Sequence, residues 1–242
     1  MDFTYDLWGY GVMGVFAGPE RNVSLQTTSG RSLYSLGVVQ DGLILNLDAS
    51  KFYSYPKSGT TWTDLSGNTN DGTLTNTPTY SSANGGTLVF DGTNQYVTTT
   101  FAITAGQAVT YAGWVYDTQT VDGTYKNFVD SVLVRPMIWW NTSGRIEFDA
   151  QDYTTSTIYR AQWVYVALSK PSGSSSPSYY VNGVLVGTGS VYSTPAVTPT
   201  WLNRGVSNTW KGNCSIIQAY NRALTAAEIQ QNFNATKSRF GL

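Results

Sequence analysis

Apolar residues in this chain recur at every second position and take helical spacing in one place only, which confines the fold to strands plus a single helix. Asp41 to Tyr96 sets the pattern. Gly42-Leu43-Ile44-Leu45-Asn46-Leu47-Asp48-Ala49 opens with a short apolar run and then alternates, so it is predicted to be a strand. Gly59-Thr60-Thr61-Trp62 and Asp64-Leu65-Ser66-Gly67-Asn68-Thr69-Asn70-Asp71-Gly72 follow, too polar and too rich in turn formers for a helix, and predict a tight surface loop. The chain returns through Thr87 to Val97, where two β runs flank Asp91-Gly92, a pair suited to backbone angles that most residues resist.

The same grammar continues downstream. In Gln107 to Tyr116, Ala108, Thr110, Ala112 and Trp114 share one face of a strand. Met137-Ile138-Trp139-Trp140 and Arg145 to Ala150 read as a hairpin joined by Asn141-Thr142-Ser143-Gly144, with Ile146, Phe148 and Ala150 on one face and Glu147, Asp149 and Gln151 on the other. Adjacent Trp139 and Trp140 must point to opposite faces, so at most one of them faces the core. Trp163 to Leu168 and Ser178 to Val186 are further strand regions, the second turning at Asn182-Gly183, where both residues tolerate positive φ. The helix begins at Ala226. Thr225 can cap it, Glu228 completes a capping box, and Leu224 and Ile229 occupy staple positions. Ile229 and Phe233 share a face, so this helix is expected to dock on a sheet rather than form a site.

Composition narrows the function. Charged residues are only 12% of 242 and the net charge is −1, so the electrostatic drive toward nucleic acid is missing and no such partner is expected. The chain has no histidine, which removes the commonest general base and zinc ligand. Its one cysteine, Cys214, lies in a strand-like run and reads as a buried structural thiol. Asp2 and Asp6 stand where a secretory signal needs positive charge, and no apolar run is long enough for a span, so neither a signal nor membrane insertion is expected.

The triple LILNLDAS, TWTDLSGNTNDGTL and LVFDGTNQYV, closed by Gln218-Ala219-Tyr220-Asn221-Arg222-Ala223-Leu224-Thr225-Ala226-Ala227-Glu228-Ile229, resembles the laminin-G-like members of the concanavalin A-like lectin/glucanase superfamily. The resemblance covers roughly residues 41 to 242. It implies an all-β fold, a two-sheet antiparallel jelly-roll sandwich with one short C-terminal helix and with Trp114 filling the core. That fold hosts lectins, glycosidases and inert scaffolds alike. The wording of the motifs, ending in Gln230-Gln231-Asn232-Phe233-Asn234-Ala235-Thr236-Lys237, looks most like tail and capsid-surface proteins of phages. A non-enzymatic virion-surface protein with a lectin-like domain is therefore expected, made in the host cytoplasm and reaching a host-surface glycan. The alternative is an extracellular or cell-surface carbohydrate-binding module.

Residues 1–40 are expected to form an arm that docks on another virion protein or a second copy of this chain. Phe3, Tyr5, Trp8, Tyr10 and Phe16 stand there among six glycines, which is interface chemistry without a core of its own. An extra edge strand through Leu33 to Val39 is the alternative.

Three constellations could carry chemistry. Glu147-Phe148-Asp149-Ala150-Gln151 nearly spells the Glu-x-Asp-x-Glu strand motif of retaining glucanases in the resembled superfamily. Retaining hydrolysis needs two carboxyl groups about 5 Å apart, and the amide of Gln151 can neither give nor take the required proton, so no hydrolysis is expected. Asp64, Asn68 and Asp71, with Ser66 and Asn70, offer oxygens suited to calcium, a cation wanting six to eight of them; self-bonded Asx turns are the alternative. Trp139, Trp140, Tyr153, Tyr159, Trp201 and Trp210 are the rings that could stack on a sugar, against the alternative that most are core.

Overall fold

A computed structural model describes residues 37–118, 126–131, 136–148, 153–190, 192–193, 198–204 and 208–242. The alternating segments become sixteen strands of two large antiparallel sheets among the described residues. In chain order they are β1 (Leu43–Asp48), β2 (Thr61–Trp62), β3 (Gly72–Thr75), β4 (Thr79–Ser81), β5 (Thr87–Asp91), β6 (Tyr96–Thr98), β7 (Val109–Asp117) and β8 (Lys126–Ser131). They continue with β9 (Pro136–Trp140), β10 (Arg145–Phe148), β11 (Tyr153–Ile158), β12 (Trp163–Lys170), β13 (Ser178–Val181), β14 (Val184–Thr188), β15 (Pro199–Trp201) and β16 (Lys211–Tyr220). The first sheet runs β14-β13-β12-β7-β16-β5-β4, with β1 also on β16, and the second runs β11-β10-β9-β8-β15-β6-β3-β2. Two short ribbons, Ser174–Ser175 with Tyr192–Ser193 and Asn203–Arg204 with Asn208–Thr209, lie outside these sheets.

Between the sheets lies the larger apolar cluster. Leu45, Leu47, Tyr111, Val115, Val164, Val166 and Ile217 come from the first sheet and meet Phe128, Ile138, Trp140, Ile146, Phe148 and Trp201 from the second. The sheets approach so closely at Gly113 that a Cβ there would lie 2.5 Å from the Phe128 ring and 2.5 Å from the Ile216 carbonyl. Glycine is therefore needed on that strand for space rather than for its φ.

Trp114 is fully buried, as expected, but on the opposite side of its strand. Its face belongs to a second cluster with Ala112, Tyr165, Ala167, Ile216 and Tyr220, covered by Leu224, Ile229 and Phe233 of the C-terminal segment. The helix α1 (Ala226–Thr236) has the capping box predicted, Thr225 Oγ1 accepting from Glu228 N while the Glu228 carboxylate accepts from Thr225 N. Past it, Phe240 stacks on Trp114 with ring centres 4.1 Å apart, and Trp114 Nε1 donates to Thr236 Oγ1 at 2.7 Å. Central strands β7 and β12 are thus buried on both faces, which is why their apolar runs are nearly continuous.

The Asn182-Gly183 turn has φ 51 and 77, the pair of positive values a two-residue hairpin requires. The packed body starts earlier than residue 41. Val39 is buried, its N–H donates to Asn232 Oδ1, and its carbonyl accepts from Tyr220 Oη. No strand occurs in residues 37–40. Phe3, Tyr5, Trp8, Tyr10 and Phe16 lie outside the described residues, as do Asp149 and Gln151.

Candidate functional site

The outer face of the second sheet carries a row that the core does not explain. Cross-strand register places Thr154, Glu147, Trp139 and Asn127 side by side on β11, β10, β9 and β8. Side chains at these positions face away from Ile138, Trp140 and Ile146, which alternate with them and lie in the core. Beyond a bulge in β8 the row continues through Asp130, Thr200, Thr98, Thr73 and Thr61.

Its middle is buried and polar. Glu147 is 7% exposed, Trp139 3%, Asn127 1% and Asp130 1%, whereas Thr154, Thr73 and Thr61 at the ends are exposed. Asn141 Nδ2 donates to Glu147 Oε1 at 2.6 Å, and Asn127 Nδ2 donates to Asp130 Oδ2 at 3.0 Å. Glu147 Oε2 and Asn127 Oδ1 are buried with no hydrogen-bond partner among the described residues. An acceptor in that state costs about 1–3 kcal/mol, more when charged. Both are acceptors, so they suit a ligand that brings donors. Trp139 lies between them in the register and belongs to neither apolar cluster.

Of the rings expected to meet sugar, only Trp139 is on this face. Trp140, Trp201 and Trp210 have no exposed surface and belong to the core, a correction with a clear physical cause. Trp140 packs edge-on against Trp210 at 5.0 Å, and Trp201 does so against Tyr111 and Phe128, so no ring face is left for a ligand. Tyr153 packs on Phe148 and Tyr179 and donates to the Val186 carbonyl, and Tyr159 also rests against the core. Gly187 leaves room for the Tyr153 ring, which would lie 2.3 Å from a Cβ.

The Asp64 loop takes the self-bonded form. The Asp64 carboxylate accepts from the backbone N–H groups of Asn46, Ser66 and Asn70 and from Ser66 Oγ, while Asp71 Oδ1 accepts from Asp64 N. Asn68 and Asn70 spend their amide N–H groups on the carbonyls of Leu43 and Ile44. These bonds pin the loop to β1 and occupy the lone pairs of Asp64, so a cation would have to displace backbone donors, and the donor set does not fit calcium. Among the described residues no group of three or more acidic, histidine or cysteine side chains is placed to hold a metal. Burial pushes the Cys214 thiol well above its ordinary range, keeping it protonated and unreactive.

Two exposed rings escaped the sequence reading. Phe52 and Tyr53, 64% and 86% exposed, stand in a turn between charged and hydroxyl residues. Two large rings in a polar turn were the available signal.

No helix among the described residues is long and apolar enough to cross a membrane. No curated protein matches the chain. Among solved structures, a sialidase of Trypanosoma rangeli in complex with sialic acid is 16% identical with a TM-score of 0.61, covering 82% of this chain and 33% of its own. The binding domain of Paraclostridial Mosquitocidal Protein 1 is 16% identical with a TM-score of 0.62, covering 81% of this chain and 52% of its own. Domain 4 of AbnA, an extracellular arabinanase from Geobacillus stearothermophilus in complex with arabinotriose, is 18% identical with a TM-score of 0.55, covering 79% and 98%. The chain therefore spans about a third of the sialidase and half of the toxin domain, and at these identities the likeness is one of fold. The laminin-G family pattern, described as concanavalin A-like lectin/glucanases superfamily, matches residues 91–230. With more than half its length so matched and two antiparallel sheets to go with it, the chain belongs to the concanavalin A-like lectin/glucanase superfamily.

Proposed function

We propose that this chain is a non-enzymatic, lectin-like domain that binds glycan on the outer face of its second sheet and is displayed on a phage virion surface. The observation that carries the binding is the row Glu147–Trp139–Asn127, where two buried acceptor oxygens stand without described partners in register with a tryptophan ring. Sugar hydroxyls supply the donors that both oxygens lack, and Trp139, only 3% exposed, forms the apolar part of the row between them. The solved complex of a similar domain with arabinotriose supports this class of ligand.

Two features support binding without hydrolysis. Glu147 Oε1 is held by the amide of Asn141, and Gln151 stands where the glucanase motif carries its acid/base, so the motif lacks the group that would protonate a leaving sugar. The virion assignment rests on the wording of the phage-like motifs and on the interface composition of residues 1–40. The arm would dock on a virion protein or a second copy of the chain.

A glycan array probed with the full chain tests the binding, followed by incubation of each ligand with pure protein and measurement of reducing ends. Saturable binding lost in Trp139→Ala, with no reducing sugar released, is expected. Failure to bind any glycan, or release of sugar abolished by Glu147→Gln, overturns the reading. Gold-labelled antibody against the chain should decorate intact virions, and unlabelled particles would refute the display.

A further inference from the structure

A cavity of about 250 Å³ lies far from that row, on the outer side of the first sheet, between the end of α1 and strands β1 and β16. Asn46, Asp48, Gln218, Arg239, Lys51 and Leu65 are among its lining residues. We infer that this cavity, with the Phe52-Tyr53 pair that follows Lys51 of its lining in the chain, forms a second binding site, for a single neutral sugar ring.

The polar floor decides the chemistry. Gln218, 2% exposed, donates through Nε2 to Asn46 Oδ1 at 3.3 Å. That bond leaves Gln218 Oε1 as an acceptor and Asn46 Nδ2 as a donor, neither with another hydrogen-bond partner among the described residues. A neighbouring donor and acceptor match two vicinal hydroxyls, each of which both gives and takes a hydrogen bond. Charge at the floor is cancelled between Arg239 and Asp48, and Lys51, the other charged lining residue, is exposed to water. Arg239 Nη1 donates to both oxygens of Asp48 at 3.0 and 3.1 Å, and the same guanidinium donates to Ser215 Oγ and the Asn84 carbonyl. A neutral ligand loses less there than an ion would in leaving water.

Size and walls agree. The volume lies just below the range of about 300–1,000 Å³ that holds drug-sized ligands, which suits one ring. Leu65, Ile216 and Ala235 give the wall an apolar part for ring C–H groups. Lys51 lines the cavity, and the next two residues are the exposed rings, set edge to face with centres 6.1 Å apart.

The turn that bears the rings is fixed from below. Ser54 N and Tyr55 N both donate to the Lys51 carbonyl, Asp48 N donates to Ser54 Oγ, and Ser54 Oγ donates to the Thr63 carbonyl at 2.6 Å. Tyr55 is buried beneath it. A rigid turn presenting two rings to water loses little conformational freedom when a ligand covers them.

The test is titration of the ¹⁵N-labelled full chain with methyl glucoside, methyl mannoside and methyl galactoside, read at the side-chain amide signals of Gln218 and Asn46. A saturable shift of those amides with at least one pyranoside is expected. Phe52→Ala/Tyr53→Ala should weaken it about tenfold, the scale of one stacked ring, and Gln218→Ala should abolish it. Because the double variant changes only exposed side chains, its effect does not depend on whether Gln218→Ala folds. Silence at both amides with all three sugars, or a shift that survives the double variant, overturns the inference. Glycan-array binding by the second-sheet row should persist in Gln218→Ala, so either site can fail alone.

Discussion

Each sheet has one face in the common core and one face turned away from it, and the two outer faces are finished in opposite ways. That of the first sheet is apolar and sealed over β7 and β12, where Ala112, Trp114, Tyr165 and Ala167 lie under α1 and Phe240, and turns polar at the cavity beside Asn46 and Gln218. That of the second sheet carries Glu147, Asn127 and Asp130 around Trp139, with two acceptor oxygens lacking described partners. Both faces are buried at their centres, so exposure does not separate them. Charge at the centre does, since Tyr165 Oη under α1 is, like Glu147 Oε2, buried without a hydrogen-bond partner among the described residues. On the first sheet the tryptophan N–H has its acceptor in Thr236, whereas on the second the carboxylate holds one amide and leaves an oxygen over. An apolar face covered by its own chain serves stability, and a face that leaves a buried carboxylate oxygen short of a donor can serve a ligand.

That contrast is sharpest where a ring is removed. Trp114→Ala should cost about 4 kcal/mol of folding stability in a urea melt, because it empties a site bounded by Phe233, Phe240 and Tyr165. A loss below about 1 kcal/mol would mean that the sealed face contributes little. Gly113→Ala should cost about 2 kcal/mol, since its Cβ would press on the Phe128 ring and on the backbone carbonyl of Ile216, which cannot step aside. An unchanged midpoint would show that the sheets can part at that strand.

The smallest of the three effects concerns the cover itself. Arg222 donates through both terminal nitrogens to Glu228, at 3.1 and 2.7 Å, and with Thr225 holds that carboxyl at about 2 against an ordinary 4.5. The sign follows from the depressed value. The pair favours the folded state fully above pH 4.5, where the unfolded carboxyl is ionised, and that contribution is lost as pH falls from 4.5 toward 2. About a quarter of each side chain is exposed, so screening limits it to about 1 kcal/mol. Glu228→Gln should flatten the acid limb of stability by that amount, and an unaltered acid limb would remove the helix cap from the account.

Much of this was legible in the chain. The two-residue turn at Asn182-Gly183, the capping box at Thr225 and Glu228, and the opposed faces of Trp139 and Trp140 all follow from local rules, and each is present in the structure. Local rules also failed in an instructive way. Strand alternation gives a side chain's face but does not say which face meets the other sheet, and Trp114, which the resemblance places in the core, is buried in the cluster under the helix rather than in the one between the sheets. Aromatic residues near turns looked available to sugar, yet Trp201 and Trp210 are enclosed by rings far away in sequence. The cavity floor pairs Asn46 with Gln218, 172 residues apart, a contact that no local pattern encodes.

Titration of one array-selected glycan into Glu147→Gln and the unaltered chain, paired with a thermal melt of each, tests the difference between the outer faces most directly. One bond from Asn141 does not offset the desolvation of a buried carboxylate whose other oxygen is unpartnered, so the variant should melt at the same temperature or higher while losing its glycan affinity. A variant that keeps its affinity, or one whose melting temperature falls along with it, would contradict the account and make Glu147 a structural residue like those of the sealed face.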